Sequence, residues 1–252
     1  MTETLLRIKG QDDTVIWGKL CAEGHRRLVI HIHGLTHQMN FLLEVTSSEF
    51  FNANGFDHYR VGLYEGLRGS RRLHESTLST HTKDIQSVLD HFCNSYDEIF
   101  ITAHSLGGLA MLILNPKNIC AMSLWDPALD VTNFWKTGDY LTPLPEQRQY
   151  ALNYGNVFVL SADMVEEMKK YPDDVCLDLA RAVVTPMQFV IPERSIFDAS
   201  PHTSPENYAS AFGGAFDLRR ITDAPHTFSN RGNREVLFKA SLDWFNQHRA
   251  IQ

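Results

Sequence analysis

The sequence predicts an α/β fold on a mostly parallel sheet, and three observations carry that prediction. Apolar runs such as Leu28, Val29, Ile30 and Ile32 are too continuous for a strand with one wet face. Between these runs lie segments whose apolar residues recur at helical spacing, as Ile85, Val88, Leu89 and Phe92 do. The two kinds of segment alternate, and such alternation calls for parallel strands joined by right-handed crossovers.

Each element can be justified in chain order. Thr4 to Lys9 and Thr14 to Ala22 flank the turn-rich "GQDD" and read as a strand hairpin. "RRLVIHIHG" is a buried strand, followed after "LTHQMN" by a helix from about Glu44 to Asn52 that stops before Gly55. "DHYRVGLYE" is a strand that runs into the glycine and arginine loop "GLRGSRR", and Thr80 to Asn94 is an amphipathic helix. "DEIFITAHS" is a strand, "LGGLAMLIL" a short helix before Asn115-Pro116, and "ICAMSLWDP" a strand. The rhythm breaks at Ala128 and resumes with the strand "TPMQFVIPE". A helix near Pro205 to Phe212, the strand "DLRRITDA" and a helix from about Asn233 to His248 complete the chain.

The sheet is therefore expected to have about eight strands. Residues 1–127 and 183–252 form its core, and 128–182 form a small helical cap inserted after the sixth strand. The cap follows a strand's carboxyl end, where open α/β sheets place their ligand crevices.

With 252 residues, 43% hydrophobic and 21% charged, the chain has the composition of a globular domain. A formal charge of −7 argues against a broad nucleic-acid surface, and Arg68 to Arg72 is a short basic loop. Cys21, Cys93, Cys120 and Cys176 are widely spaced, with no C-x-x-C pair, so neither a metal site nor a redox motif is expected. No signal peptide and no membrane span are legible, so the expected location is the cytoplasm. Nothing calls for a cofactor. Monomer and homodimer are not distinguished.

The segment "IFITAHSLGG" raises the functional question, because a buried strand ends on Ser105 and opens directly into a helix. A serine hydroxyl becomes a nucleophile only with a base in reach, a carboxylate to orient that base and donors for the oxyanion. Small residues two before and two after Ser105, here Ala103 and Gly107, relieve the crowding of a sharp strand-to-helix turn. The oxyanion donors would be the amides of Leu106, at the helix N-terminus, and of Leu35, after His33-Gly34. His226 lies between the last strand and the last helix and is the candidate base; His202 is its competitor.

Together, "HIHGLTH", "AHSLGG" and "DAPHTF" make the chain resemble the α/β-hydrolase superfamily over essentially its whole length. It is most similar there to the cinnamoyl and feruloyl esterases and the monoglyceride-lipase-like serine esterases. The resemblance implies a triad acid after the penultimate strand, which selects Asp198 in "RSIFDASPHTSPE". The superfamily's usual Gly-x-x-Asp is replaced by Pro192-Glu193-Arg194-Ser195, so Asp126 and Glu193 stay open as alternatives. The implied activity is hydrolysis of small to medium, apolar or aromatic carboxylic esters through an acyl-enzyme. His37 and Gln38 are further residues that could touch substrate. Thioester, amide or carbon–carbon bond cleavage by the same residues is an alternative, as is a hydrolase-fold binding or receptor protein with little turnover.

Overall fold

In the computed structural model, residues 2–132, 140–153, 155–195 and 204–249 are described. Eight strands form the central sheet in the order β1-β2-β4-β3-β5-β6-β10-β11. They are β1 (Glu3–Lys9), β2 (Val15–Cys21), β3 (Arg27–Ile32), β4 (Asp57–Gly62), β5 (Glu98–His104), β6 (Ala121–Trp125), β10 (Met187–Arg194) and β11 (Phe216–Pro225). β2 pairs antiparallel with both β1 and β4, while β4, β3, β5, β6, β10 and β11 run parallel. The expected hairpin and the parallel core are both present.

Strand alternation builds a layer on each face of the sheet. Leu28, Ile30, Ile32, Ile101 and Ala103 share one core with α2 (Leu78–Phe92) and α3 (Leu106–Leu114). Val29, Phe100, Trp125 and Val190 share the other with α1 (Leu42–Ala53) and with α7 (Arg231–Gln247). Every residue of β4, β5 and β6 is buried, as strands covered on both faces require. Polar side chains enter these layers as well. Trp125 Nε1 donates to Ser241 Oγ at 2.9 Å, and Ser123 Oγ donates to Gln188 Oε1 at 3.0 Å.

The segment between β6 and β10 departs from the expectation of a helical insertion. It holds a three-stranded antiparallel sheet, β7 (Leu141–Leu144), β8 (Gln149–Asn153) and β9 (Val157–Ser161), followed by α4 (Ala162–Met168) and α5 (Asp173–Ala182). These strands are four or five residues long and only partly buried, and Val157 to Leu160 in β9 is their one four-residue apolar run. Pro143 is tolerated because β7 is an edge. β9 packs on the turn Leu73–Glu75, α4 on α2, and α5 on α3 and α6 (Pro205–Ala211). The segment is therefore divided: its small sheet meets the loop that follows β4, and α5 packs as a core helix beside α3.

Candidate active site

Ser105 stands between β5 and α3 with φ 53° and ψ −121°, a backbone that L-residues rarely adopt. Three hydrogen bonds hold it there. Its N–H donates to the Trp125 carbonyl at 3.0 Å, and its own carbonyl accepts from Gly108 and Ala128 at 2.9 Å each. A Cβ at Gly107 would lie 2.9 Å from the Ile32 and His33 carbonyls, and one at Gly108 2.6 Å from Pro127 Cβ. Glycine at these positions lets α3 begin directly against the end of β3 and against Pro127.

His226 lies in the turn after β11 and presents its two ring nitrogens to two partners. Nε2 is 3.2 Å from Ser105 Oγ, and Nδ1 is 2.6 Å from Asp126 Oδ2. A carboxylate only accepts, so Nδ1 carries the proton and Nε2 is free to take one from the serine. Asp126 follows β6, is 2% exposed and has φ 42°. That left-handed backbone, which aspartate tolerates better than most residues, precedes the turn of the chain at Pro127. Its other oxygen, Oδ1, accepts from Ser195 Oγ at 2.7 Å.

The structure thus brings together Ser105, His226 and Asp126, the last of which the sequence offers as an alternative acid. Asp198, the first expectation for the acid, lies outside the described residues, as does His202. Glu193 instead accepts from the Asp223 N–H at 2.7 Å.

The His33-Gly34-Leu35 segment lies beside the serine, since a Cβ at Gly34 would come within 2.9 Å of Ser105 Cβ. Three donors converge on the Gly34 carbonyl: Tyr64 Oη at 2.8 Å, His33 Nδ1 at 2.9 Å and the His37 N–H at 3.2 Å. Across a trans peptide the next N–H points opposite to that carbonyl, so pinning the Gly34 oxygen fixes the direction of the Leu35 amide. His33 Nε2 accepts from the Leu63 N–H at 3.3 Å, which requires the neutral ring. Burial holds the His33 pKa down at about 4. Tyr64 is invisible in the sequence as a functional residue. It lies 30 positions from Gly34, and only the adjacency of β3 and β4 joins them.

His37 and Gln38 follow this segment. His37 Nδ1 is 2.9 Å from the buried Glu44 carboxylate, and its ring packs 4.9 Å from Phe41 and 5.2 Å from His104. Burial works to raise the Glu44 pKa, but His31 and His37 outweigh it and the carboxylate stays ionised. Gln38 is exposed. Among the described residues no group of three or more His, Cys, Asp or Glu could hold a metal ion, and no helix is long and apolar enough to cross a membrane.

Known structures share this fold at low sequence identity. Est1E from Butyrivibrio proteoclasticus, also solved with ferulic acid bound, superposes with a TM-score of 0.74 at 19% identity, covering 96% of this chain and 99% of that one. Alpha/beta hydrolase domain-containing protein 10 from mouse gives 0.76 at 18%, covering 97% and 99%. An esterase from Pyrococcus furiosus gives 0.73 at 14%, covering 98% and 93%. No curated protein matches the chain at a significant level. The family described as serine aminopeptidase, S33, matches residues 23–181, more than half of the sequence. On that match and this fold, the chain belongs to the serine aminopeptidase S33 family of α/β-hydrolases.

Proposed function

We propose that the protein is a serine hydrolase of carboxylic esters, with Ser105 as nucleophile, His226 as general base and Asp126 as the acid that orients it. The observation that carries this reading is the continuous line from Asp126 Oδ2 through the His226 ring to Ser105 Oγ, at 2.6 and 3.2 Å. Ser105 Oγ attacks the acyl carbonyl as Nε2 takes its proton, and the carbonyl oxygen takes up negative charge on the Leu35 and Leu106 amides. His226 then protonates the leaving alcohol. Water repeats the sequence on the acyl-enzyme and releases the acid. Each oxyanion donor in such a site is worth about 3 kcal/mol of transition-state stabilisation.

The proposed substrates are small to medium esters with apolar or aromatic groups. Phe41, 41% exposed beside His37, and Leu42, 58% exposed, support an apolar approach to the site. Within the segment 128–182, the small sheet of β7, β8 and β9 with α4 is proposed as the cap that shapes it. Amide cleavage is the second reading, favoured by the family's description as a serine aminopeptidase. Turnover of p-nitrophenyl esters of graded acyl length, set against an amino-acid p-nitroanilide, tests both. The ester reading predicts kcat/KM at least ~100-fold higher on the best ester, lost in Ser105→Ala. Preference for the anilide would overturn it in favour of amide cleavage.

A further inference from the structure

His104 is the last residue of β5 and the neighbour of Ser105, yet its side chain reaches the loop of the base. Its Nε2 lies 3.0 Å from the main-chain oxygen of His226. A carbonyl only accepts, so His104 carries its proton on Nε2 and donates it. The ring is 1% exposed, and burial keeps its pKa well below the usual histidine range, so it is neutral. Nδ1 is then a bare acceptor, and among the described residues it has no partner. The two imidazoles lie 4.7 Å apart between centroids, with His37 at 5.2 Å and Phe228 at 6.3 Å from the His104 ring.

A buried acceptor without a partner is destabilising, and an apolar side chain would fill this space without that cost. What an apolar side chain cannot do is donate to the His226 carbonyl. We propose that His104 is a positioning residue, whose Nε2–H ties the main chain of the base to the strand that carries the nucleophile. Asp126 holds the His226 ring at Nδ1 and His104 holds its main chain, so the residue is fixed through both side chain and backbone. Because His104 and Ser105 are adjacent, any shift of β5 carries the base and the nucleophile together. The inference rests on the reading of Ser105 and His226 as nucleophile and base.

The test compares His104→Gln, whose amide nitrogen reaches about as far as Nε2, with His104→Leu and His104→Met, which cannot donate. Steady-state kinetics on a p-nitrophenyl ester and the rate of labelling by a fluorophosphonate are measured on each folded variant. The expected result is a kcat for Gln within ~3-fold of the native protein. Leu and Met should lose roughly 10- to 100-fold in kcat and in labelling rate, with KM within twofold. Should neither apolar variant fold, His104→Asn, polar but too short, takes their place with the same expected loss. Native-like kcat in the variants that cannot donate would overturn the inference, as would a Gln variant that falls as far as they do. A native protein that neither turns over nor labels would instead overturn the reading of Ser105 and His226, and this inference with it.

Discussion

At the scale of single residues, the candidate site depends on backbone conformations that composition does not reveal. Thr36, Ser105, Asp126 and Phe228 all have positive φ, and all lie in the segments that build the candidate site. Ser105 is legible because small residues on either side announce a crowded turn. Asp126 is less so, because "WDPAL" also reads as an ordinary cap beside a proline, whereas the structure gives it the left-handed turn beside Pro127 and the contact with His226. The sequence therefore supplies the nucleophile and base candidates by position in the α/β order, and leaves the acid among three carboxylates. In this reading Asp126→Asn should lower kcat by ~10³–10⁴-fold, since the amide favours the wrong tautomer of His226. Undiminished turnover in Asp126→Asn, with loss in Asp198→Asn, would move the role to Asp198. Ser195→Ala removes only one of the hydrogen bonds to Asp126, and its expected loss is about tenfold or less.

At the scale of elements, α3 shows how the site and the fold depend on each other. The helix is apolar along its length, and seven of its nine residues are buried, from Leu106 to Leu112. Its two glycines place it within reach of β3 and Pro127 rather than supplying flexibility. Gly108→Ala would drive a methyl into Pro127, next to the candidate acid, so stability should fall by about 1–3 kcal/mol and kcat with it. Gly232→Ala, in α7, meets no atom within 4 Å and is expected to be neutral or stabilising by up to ~1 kcal/mol. Chemical denaturation of both variants measures the contrast, and equal effects would contradict it. The core helices and strands were legible because their period is strong and their burial complete. β7, β8 and β9 were not, because short, half-wet strands leave no long alternation to read, and the one four-residue apolar run among them, Val157 to Leu160, fits a buried helix as well as a strand.

At the scale of the whole molecule, the buried histidines set a pH dependence. Burial lowers His33 to about 4 and His81 to about 3, and it lowers His31, His58 and His104 as well. Between those values and the ordinary value of 6.5, the unfolded chain binds more protons than the folded one, so stability rises with pH across that window. The contribution is complete above about pH 6.5 and is lost as pH falls toward 4. Each such histidine adds a slope approaching 1.4 kcal/mol per pH unit. Asp84 acts in the opposite sense. Burial raises it to about 6 against the pull of Arg71, so its protonation favours the folded state as pH falls below 6. Burial raises Glu65 in the same sense, and the five histidines outweigh these two carboxylates. Urea unfolding should therefore show the protein less stable at pH 5 than at pH 7.5 by more than ~1 kcal/mol, and equal or greater stability at pH 5 would contradict this account.

In the proposed function, the sheet, the strand-to-helix turn and the loops around it assemble an activated Ser105. Intact-mass spectrometry after exposure to a fluorophosphonate tests it most directly, on the native protein and on Ser105→Ala. The account predicts one adduct on the native protein and none on the variant. A folded native protein that stays unlabelled, or a variant that labels equally, would contradict it.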